Sequence, residues 1–188
     1  MLVKSIERKK KHSEVFTPDY LCDEMVSKLK INWKDINLKI LEPSCGNGQI
    51  VIKLIDKLLQ FHNIDYILSD ILYAFDIQED NISEMIERIE NKYNITIKKH
   101  NFEVCDALAT EIPSEFFTSK YPMFDLVISN PPYNRATVKK NHYVYDKIGI
   151  GKIGTTGFMY HYNYFLKEDG ISCCLAPLQW VSSPNNKE

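Results

Sequence analysis

Cysteine is sparse in this 188-residue chain, and no arrangement of it suits a metal. The five cysteines stand at 22, 45, 105, 173 and 174, an odd number with no C-x-x-C pair. The five histidines are scattered, with no H-x-x-x-H pair. Neither a zinc site nor a disulfide framework is expected. Cys105 and Cys173 lie in apolar, strand-like runs, where a thiol packs as a small hydrophobe. No apolar run approaches the ~20 residues of a membrane span. The opening "MLVKSIERKKKHSE" has no apolar signal-peptide core. Together these absences predict a cytoplasmic protein with no membrane partner. Internal repeats and low-complexity linkers are missing too. An excess of one charge is also lacking: 23 basic residues face 25 acidic ones, for a net charge of -2. The chain as a whole is therefore not a polyanion binder, and any such role falls to local patches.

Glycine is scarce as well, with seven residues. Only Gly46 and Gly48 fall between an expected strand and an expected helix, in "LEPSCGNG" (41–48). The third glycine of the dinucleotide fingerprint is absent. "GIGKIG" (149–154) lacks the spacing of a Walker loop.

What is present reads as one soluble domain over residues 1–188, with 44% hydrophobic and 26% charged residues. "FTPDYLCDEMVSKLK" opens like a helix, with Thr17 as N-cap and Pro18 in the first helical position. Leu21, Met25 and Leu29 repeat along one face, beside Cys22 and Val26. "LKILEP" (38–43) reads as a strand and "QIVIKLIDKLLQ" as a helix. "LYAFDI" (72–77) reads as a strand. "QEDNISEMIERIENKY" reads as a helix, with Ile82, Met85, Ile86 and Ile89 on one face. "FEVCDAL" (102–108) and "FDLVIS" (124–129) are strands. "YHYNYFLKEDG" is an expected helix closed by Gly170. "ISCCLAPL" is a fifth strand.

Strands alternating with helices predict an α/β fold, a doubly wound and mostly parallel sheet. Ligands of such sheets bind outside the carboxyl ends of the strands. The unusual polar residues gather there: Glu42, Asp76, Asp106 and Asn130. Glycine lets the loop after the first strand approach a ligand closely. An acid at that strand end suits a cationic ligand better than a pyrophosphate. An acid at the second strand end suits ribose hydroxyls. A nucleoside carrying positive charge fits both, and S-adenosylmethionine is one.

The series "EVFTP" (14–18), "LEPSCGNG" (41–48), "FDI" (75–77), "CDAL" (105–108) and "NPPY" (130–133) resembles the motif series of N6-adenine-specific DNA methyltransferases of restriction-modification systems. The resemblance covers about residues 12 to 182. It implies a Rossmann-like class I methyltransferase fold, S-adenosylmethionine as cofactor and adenine in DNA as substrate. It also implies roles at matching positions. Phe16, Thr17 and Pro18 would lie against the methionine end of the cofactor. Glu42 would face its ammonium group, above Cys45 and Gly46. Asp76 would accept the ribose hydroxyls, with Ile77 over the adenine ring. Asp106 would accept from the cofactor's adenine amino group, with Ala107 beside it.

The catalytic group implied is Asn130, Pro131, Pro132 and Tyr133. An amino group conjugated to a purine ring is a poor nucleophile. The Asn130 side-chain oxygen and the Pro131 carbonyl are both acceptors. Two such hydrogen bonds favour a pyramidal nitrogen whose lone pair faces the methyl group. The prolines hold the carbonyl in place, which is preorganisation rather than acid–base work. Tyr133 would stack on a target base flipped out of the duplex.

The stretch 134–158 holds four of the seven glycines, with Arg135, Lys139, Lys140, Lys147 and Lys152 against a single acid, Asp146. It reads as a basic loop for DNA phosphates. Residues 1–13 form a second basic segment. A target-recognition domain and the last strands of the fold have no counterpart here. The sequence therefore reads as incomplete at its C-terminus, or as a catalytic half served by a separate specificity subunit. Two other readings remain: a release-factor type protein glutamine-N5 methyltransferase, and an inactive remnant that binds cofactor or DNA.

Overall fold

The computed structural model describes residues 17–107, 122–131 and 162–176. Five parallel strands form one sheet in the order β3-β2-β1-β4-β5. They are β1 (Ile40–Glu42), β2 (Leu72–Asp76), β3 (Asn101–Val104), β4 (Phe124–Ser129) and β5 (Leu166–Cys174). Among the described residues the helices are α1 (Asp19–Lys28), α2 (Gln49–Leu58), the short α3 (Ile64–Tyr66) and α4 (Glu79–Tyr93). Between α3 and β2 the chain continues helically in wide π-turns, Ile67–Ile71, a stretch with no counterpart among the sequence expectations. Among the described residues no helix is long and apolar enough to cross a membrane.

β1 lies at the centre of the sheet. Ile40 pairs with Leu72 on one side and Leu126 on the other, and Leu41 pairs with Tyr73 and Val127. A strand buried on both faces needs a continuous apolar run, which "ILE" preceded by Leu38 supplies. From β1 the chain moves outward to β2 and β3, then crosses back to place β4 on the other side of β1. The strand order reverses between β1 and β4. A cleft opens outside the carboxyl ends of strands at such a switch point, so Glu42 and Asn130 come to face it together.

One face of the sheet, carrying Ile40, Leu72, Ala74, Leu126 and Ile128, packs into a core with α1, α2 and α4. The alternate residues Leu41, Phe75 and Val127 are fully buried as well, so both faces are covered. The expected apolar face of α4 holds: Ile82, Met85 and Ile89 are buried and Ile86 packs against the core. α4 also carries Glu79 and Asp80 in its first turn and Lys92 in its last, in line with the helix dipole. In α2 the β-branched start is compatible with helix because Ile50, Val51, Ile52, Leu54, Ile55 and Leu58 are all buried.

Two local expectations are corrected. The helix expected to run to Gly170 is confined, among the described residues, to a turn at Tyr162–Phe165. β5 begins directly after it, because Leu166 pairs with Phe124. Gly170 therefore ends no helix. It sits where the register shifts between Phe124 and Leu126, and a Cβ there would stand 2.9 Å from the Phe124 carbonyl oxygen. The glycine serves a close approach of two backbones. The second correction concerns α1. The carbonyl of Pro18, not Thr17, takes the first bonds, from Leu21 N (2.9 Å) and Cys22 N (3.1 Å). Thr17 is not the cap, because its hydroxyl is engaged elsewhere.

Candidate active site at the sheet switch point

The site begins where β1 ends. Glu42 is 1% exposed. Its Oε1 accepts from the Ser44 backbone N–H at 3.2 Å. Its Oε2 is buried without a hydrogen-bond partner. Burial disfavours the charged form, and nearby Asp76 adds to this. The Ser44 N–H and the nearby Ser129 and Ser44 hydroxyls, which favour the charged form, only partly offset it, so the carboxyl is pushed up to about 8. Behind Glu42 lies a hydroxyl cluster. Ser44 Oγ and Ser129 Oγ are 2.6 Å apart, and Tyr162 Oη lies 3.5 Å from each. Tyr162 is fully buried, and that burial raises its phenol well above the ordinary value. The cluster ties the end of β1 to the end of β4.

The loop from Pro43 to Gly48 carries the chain from β1 into α2. Gly46 (φ 52°) and Gly48 (φ 86°) take the left-handed conformation that favours glycine. At Gly48 a Cβ would also stand 2.4 Å from Met85 Cγ of α4. α4 holds the loop further: Asn47 Nδ2 donates to Glu84 Oε1 (2.8 Å) and Arg88 donates to the Asn47 carbonyl (2.5 Å). On the β2 side, Cys45 N donates to the Phe75 carbonyl and Gly46 N to Asp76 Oδ2, both at 2.9 Å.

Asp76 is 8% exposed. Its other oxygen, Oδ1, accepts from Gln78 N (2.9 Å) and Asn81 Nδ2 (3.0 Å). Three protein donors thus occupy a group with about four acceptor directions. The ends of β2 and β3 are joined by Cys105 N, which donates to the Asp76 carbonyl (2.9 Å). Beyond them Ile77 is 63% exposed, Asp106 is half-buried and Ala107 is buried.

Asn130 follows β4. Its Nδ2 donates to Thr17 Oγ1 at 2.9 Å. A cavity of about 40 Å³ is lined by Thr17, Glu42, Ser44, Cys45, Gly46, Gln49, Ile50 and Asn130. Five expected site residues therefore meet in one place. Asp76, Ile77, Asp106 and Ala107 lie outside that lining, and Pro18 is exposed. Pro131 is buried beside Asn130. Phe16, Pro132, Tyr133, Arg135, Lys139, Lys140, Lys147 and Lys152 lie outside the described residues. So do the basic segment 1–13 and the basic loop 134–158.

Sequence reasoning missed Ser44, Gln49 and Ile50 in the lining, and Ser129 and Tyr162 behind it. Ser44 and Gln49 sit within or beside the glycine-bearing loop, so their position carried a signal. Tyr162 carried none, since its hydroxyl meets Ser44 and Ser129 only through the fold. Chemically, the cavity presents one buried, unpartnered carboxylate oxygen and one oriented amide. The first fits a small cationic group such as an ammonium. Among the described residues no three His, Cys, Asp or Glu side chains gather as a metal site.

Comparison with known proteins gives the family and the fold. The family model described as N-6 DNA Methylase matches residues 1–188. The chain is 29% identical over 143 residues to the type II methyltransferase M.BanIII of Aneurinibacillus aneurinilyticus, covering 73% of this chain and 24% of that one. It is 26% identical over 176 residues to the modification methylase CviBIII of Paramecium bursaria Chlorella virus NC1A, covering 91% and 39%. The chain thus spans well under half the length of these relatives. In structure it is similar to the protein of the DrdV–DNA complex, with a TM-score of 0.71 at 17% identity, over 95% of this chain and 22% of that one.

Proposed function

The chain belongs to the N-6 DNA methylase family, and from that premise we propose that it carries the catalytic site of an adenine-specific DNA methyltransferase. Its sheet is that of the class I S-adenosylmethionine-dependent methyltransferases, and family and fold together imply S-adenosylmethionine. When bound, that cofactor supplies an electrophilic methyl group. The transfer goes to the N6 amino group of an adenine flipped out of the duplex. One observation carries the reading: a buried carboxylate oxygen without a partner, Glu42 Oε2, shares a cavity with the Asn130 amide. The first suits the cofactor's ammonium group, and the second suits the amino group that is methylated.

The chain's own residues divide the work. Glu42 neutralises the ammonium, and Thr17, Cys45 and Gly46 surround it, with Phe16 and Pro18 next to them. Asp76 holds the loop and uses its remaining acceptor direction for a ribose hydroxyl. Ile77, Asp106 and Ala107 receive the cofactor's adenine. The Asn130 side-chain oxygen and the Pro131 carbonyl accept hydrogen bonds from the target's amino group, and the buried site excludes water from the transfer. Pro132 stiffens the loop, and Tyr133 stacks on the flipped base. Arg135, Lys139, Lys140, Lys147 and Lys152 bind phosphates. The system is one of restriction and modification in the cytoplasm, in which a further domain or a separate specificity polypeptide reads the DNA sequence.

The test is methyl transfer from radiolabelled S-adenosylmethionine, with DNA and release factor offered side by side. Label on adenine N6 is the expected result, and label on a glutamine of the protein overturns it. Asn130→Ala should lower the single-turnover rate on the order of 10²–10³-fold while leaving cofactor affinity intact. An unchanged rate removes Asn130 from the chemistry.

A further inference from the structure

Asn47 stands between the two left-handed glycines of the loop, Gly46 and Gly48. Glycine loses more backbone freedom on being fixed than any other residue. A residue with glycine on both sides is therefore weakly held by its own chain, and contacts from outside must hold it. The bonds to β2 reach only Cys45 N and Gly46 N. Beyond them the loop bonds to itself, with Gly48 N donating to the Cys45 carbonyl at 2.9 Å. Among the described residues, the side-chain contacts that fix Asn47 come from α4.

Glu84 and Arg88 stand one turn apart on α4, so they share a face. Arg88 Nη1 donates to the Asn47 carbonyl at 2.5 Å, and Asn47 Nδ2 donates to Glu84 Oε1 at 2.8 Å. Chemistry sets the direction of both bonds. A guanidinium only donates, and a main-chain carbonyl and a carboxylate only accept. Met85 lies beside Glu84, fully buried, and fills the space where a Cβ on Gly48 would stand. Asn47 is 8% exposed, and Glu84 and Arg88 are half-buried, so water replaces these bonds poorly if they are lost. The grip comes from behind. Ser44, Cys45, Gly46 and Gln49 line the cavity that holds Glu42, and Asn47 does not. Its neighbours on both sides face the cavity while Asn47 is held by α4.

We propose that Arg88 and Glu84 are positioning residues for the cofactor: by gripping Asn47 from α4, they preorganise the glycine-bearing loop whose other side receives S-adenosylmethionine. This role rests on the function proposed above and extends it to two residues outside the cavity lining. A loop already in place spends less binding free energy on being ordered. The grip therefore acts on cofactor affinity.

The experiment uses the full chain and compares Arg88→Ala, Glu84→Ala and Glu84→Gln with wild type and with Tyr93→Phe. Tyr93 also belongs to α4, but its hydroxyl donates to the Ile52 carbonyl of α2 at 3.1 Å, away from the loop. It is the control for loosening α4 without releasing Asn47. Cofactor affinity is measured by calorimetry, and global stability by urea unfolding. Hydrogen exchange of the Cys45, Gly46 and Gly48 amides is followed by NMR without ligand. Arg88→Ala is expected to weaken S-adenosylmethionine binding roughly tenfold, the worth of one charge-assisted hydrogen bond. The three loop amides should exchange roughly tenfold faster through local opening. Glu84→Ala should act in the same direction, and Glu84→Gln, which keeps a side-chain acceptor, should stay near wild type. Tyr93→Phe should lower stability while affinity and loop exchange stay within about twofold. The proposal is overturned if Arg88→Ala binds the cofactor as wild type does, if its loop amides exchange no faster, if Glu84→Gln is as poor as Glu84→Ala, or if Tyr93→Phe matches Arg88→Ala in both readouts. If wild type binds no S-adenosylmethionine, the proposed function fails, and the exchange comparison still decides whether α4 holds the loop.

Discussion

Glu42 closes β1 and Asp76 closes β2, the strand paired beside it, and both carboxylates are more than nine-tenths buried. Asp76 is surrounded by donors: Gly46 N and Gln78 N from the backbone and Asn81 Nδ2 from α4. Glu42 has one oxygen bonded to Ser44 N and another that is buried with no partner. The same chemical group at the same kind of position therefore does two different jobs. Asp76 uses its charge to hold a glycine-bearing loop against the sheet. Glu42 keeps an unspent acceptor for a ligand, and without one its burial raises the pKa so that it holds a proton near neutral pH.

The largest effect should come from breaking the satisfied acid. Asp76→Ala leaves three donors unpaired. It should lower unfolding free energy by about 3–5 kcal/mol, since buried bonds to charged groups are worth about 1.5–3 kcal/mol each and do not simply add. Glu42→Gln removes a group that the unfolded chain ionises at pH 6 and the folded state does not, so it should be neutral or stabilising there, by up to about 2 kcal/mol. Urea unfolding of both variants compares them directly, and equal losses would end the contrast.

Next in size is ligand affinity. Glu42→Gln should weaken S-adenosylmethionine binding at least about tenfold, or roughly 1.4 kcal/mol, because a neutral amide cannot answer an ammonium. Calorimetry at pH 7.5 gives the answer. Undiminished binding would mean that the unpartnered oxygen serves something else.

The third difference concerns pH. The Glu42 carboxyl is raised from its ordinary value of 4.5 to about 8. The folded state therefore holds this proton more tightly than the unfolded chain does. Its contribution to stability is fully present below about pH 4.5 and is lost as pH rises towards 8. Stability of the ligand-free protein should fall across that window, by up to about 1.4 kcal/mol per pH unit from this group. Glu42→Gln should flatten the fall. Thermal unfolding from pH 5 to 8 tests this, and identical profiles would show that Glu42 titrates normally. The cofactor's cation favours the ionised form, so binding near neutral pH should release protons, measurable in buffers of different ionisation enthalpy.

The smallest effect should come from Ser129→Ala. Ser129 helps the charged form of Glu42, so its loss should raise that pKa further. The pH at which cofactor binding becomes strong should move upward by a fraction of a unit, with about 1 kcal/mol of stability lost through the broken contact to Ser44. No movement would uncouple the hydroxyl cluster from the carboxylate.

The alternation of strands and helices was legible in the chain because apolar period is a local property, and the buried faces of α1 and α4 follow directly from it. So did the gathering of Glu42 and Asn130, because polar residues at the ends of parallel strands must share one edge. The run "YHYNYFLKEDG" misled for the same local reason. Tyr162, Phe165 and Leu166 repeat as a helix would, yet Leu166 pairs with Phe124 at the sheet edge. Thr17 precedes a helix in the manner of a cap, but its hydroxyl is engaged with Asn130, which only the fold brings near.

The sequence by itself determined the layered α/β architecture, the position of the glycine turn and the residue types at each strand end. These depend on side-chain period, on the conformational freedom of Gly46 and Gly48, and on the rigidity of consecutive prolines, all properties of neighbours along the chain. Only the tertiary structure decided which acid is satisfied and which is left wanting. It also decided that Ser44, Ser129 and Tyr162 cluster behind Glu42, and that Thr17 meets the Asn130 amide. Two donors to Asp76, Gln78 N and Asn81 Nδ2, are local, but hydrogen bonds act over about 3 Å in space, while Gly46 and Asp76, Thr17 and Asn130, and Ser44 and Tyr162 stand 30, 113 and 118 residues apart in sequence. Only packing the sheet and its helices closes that distance.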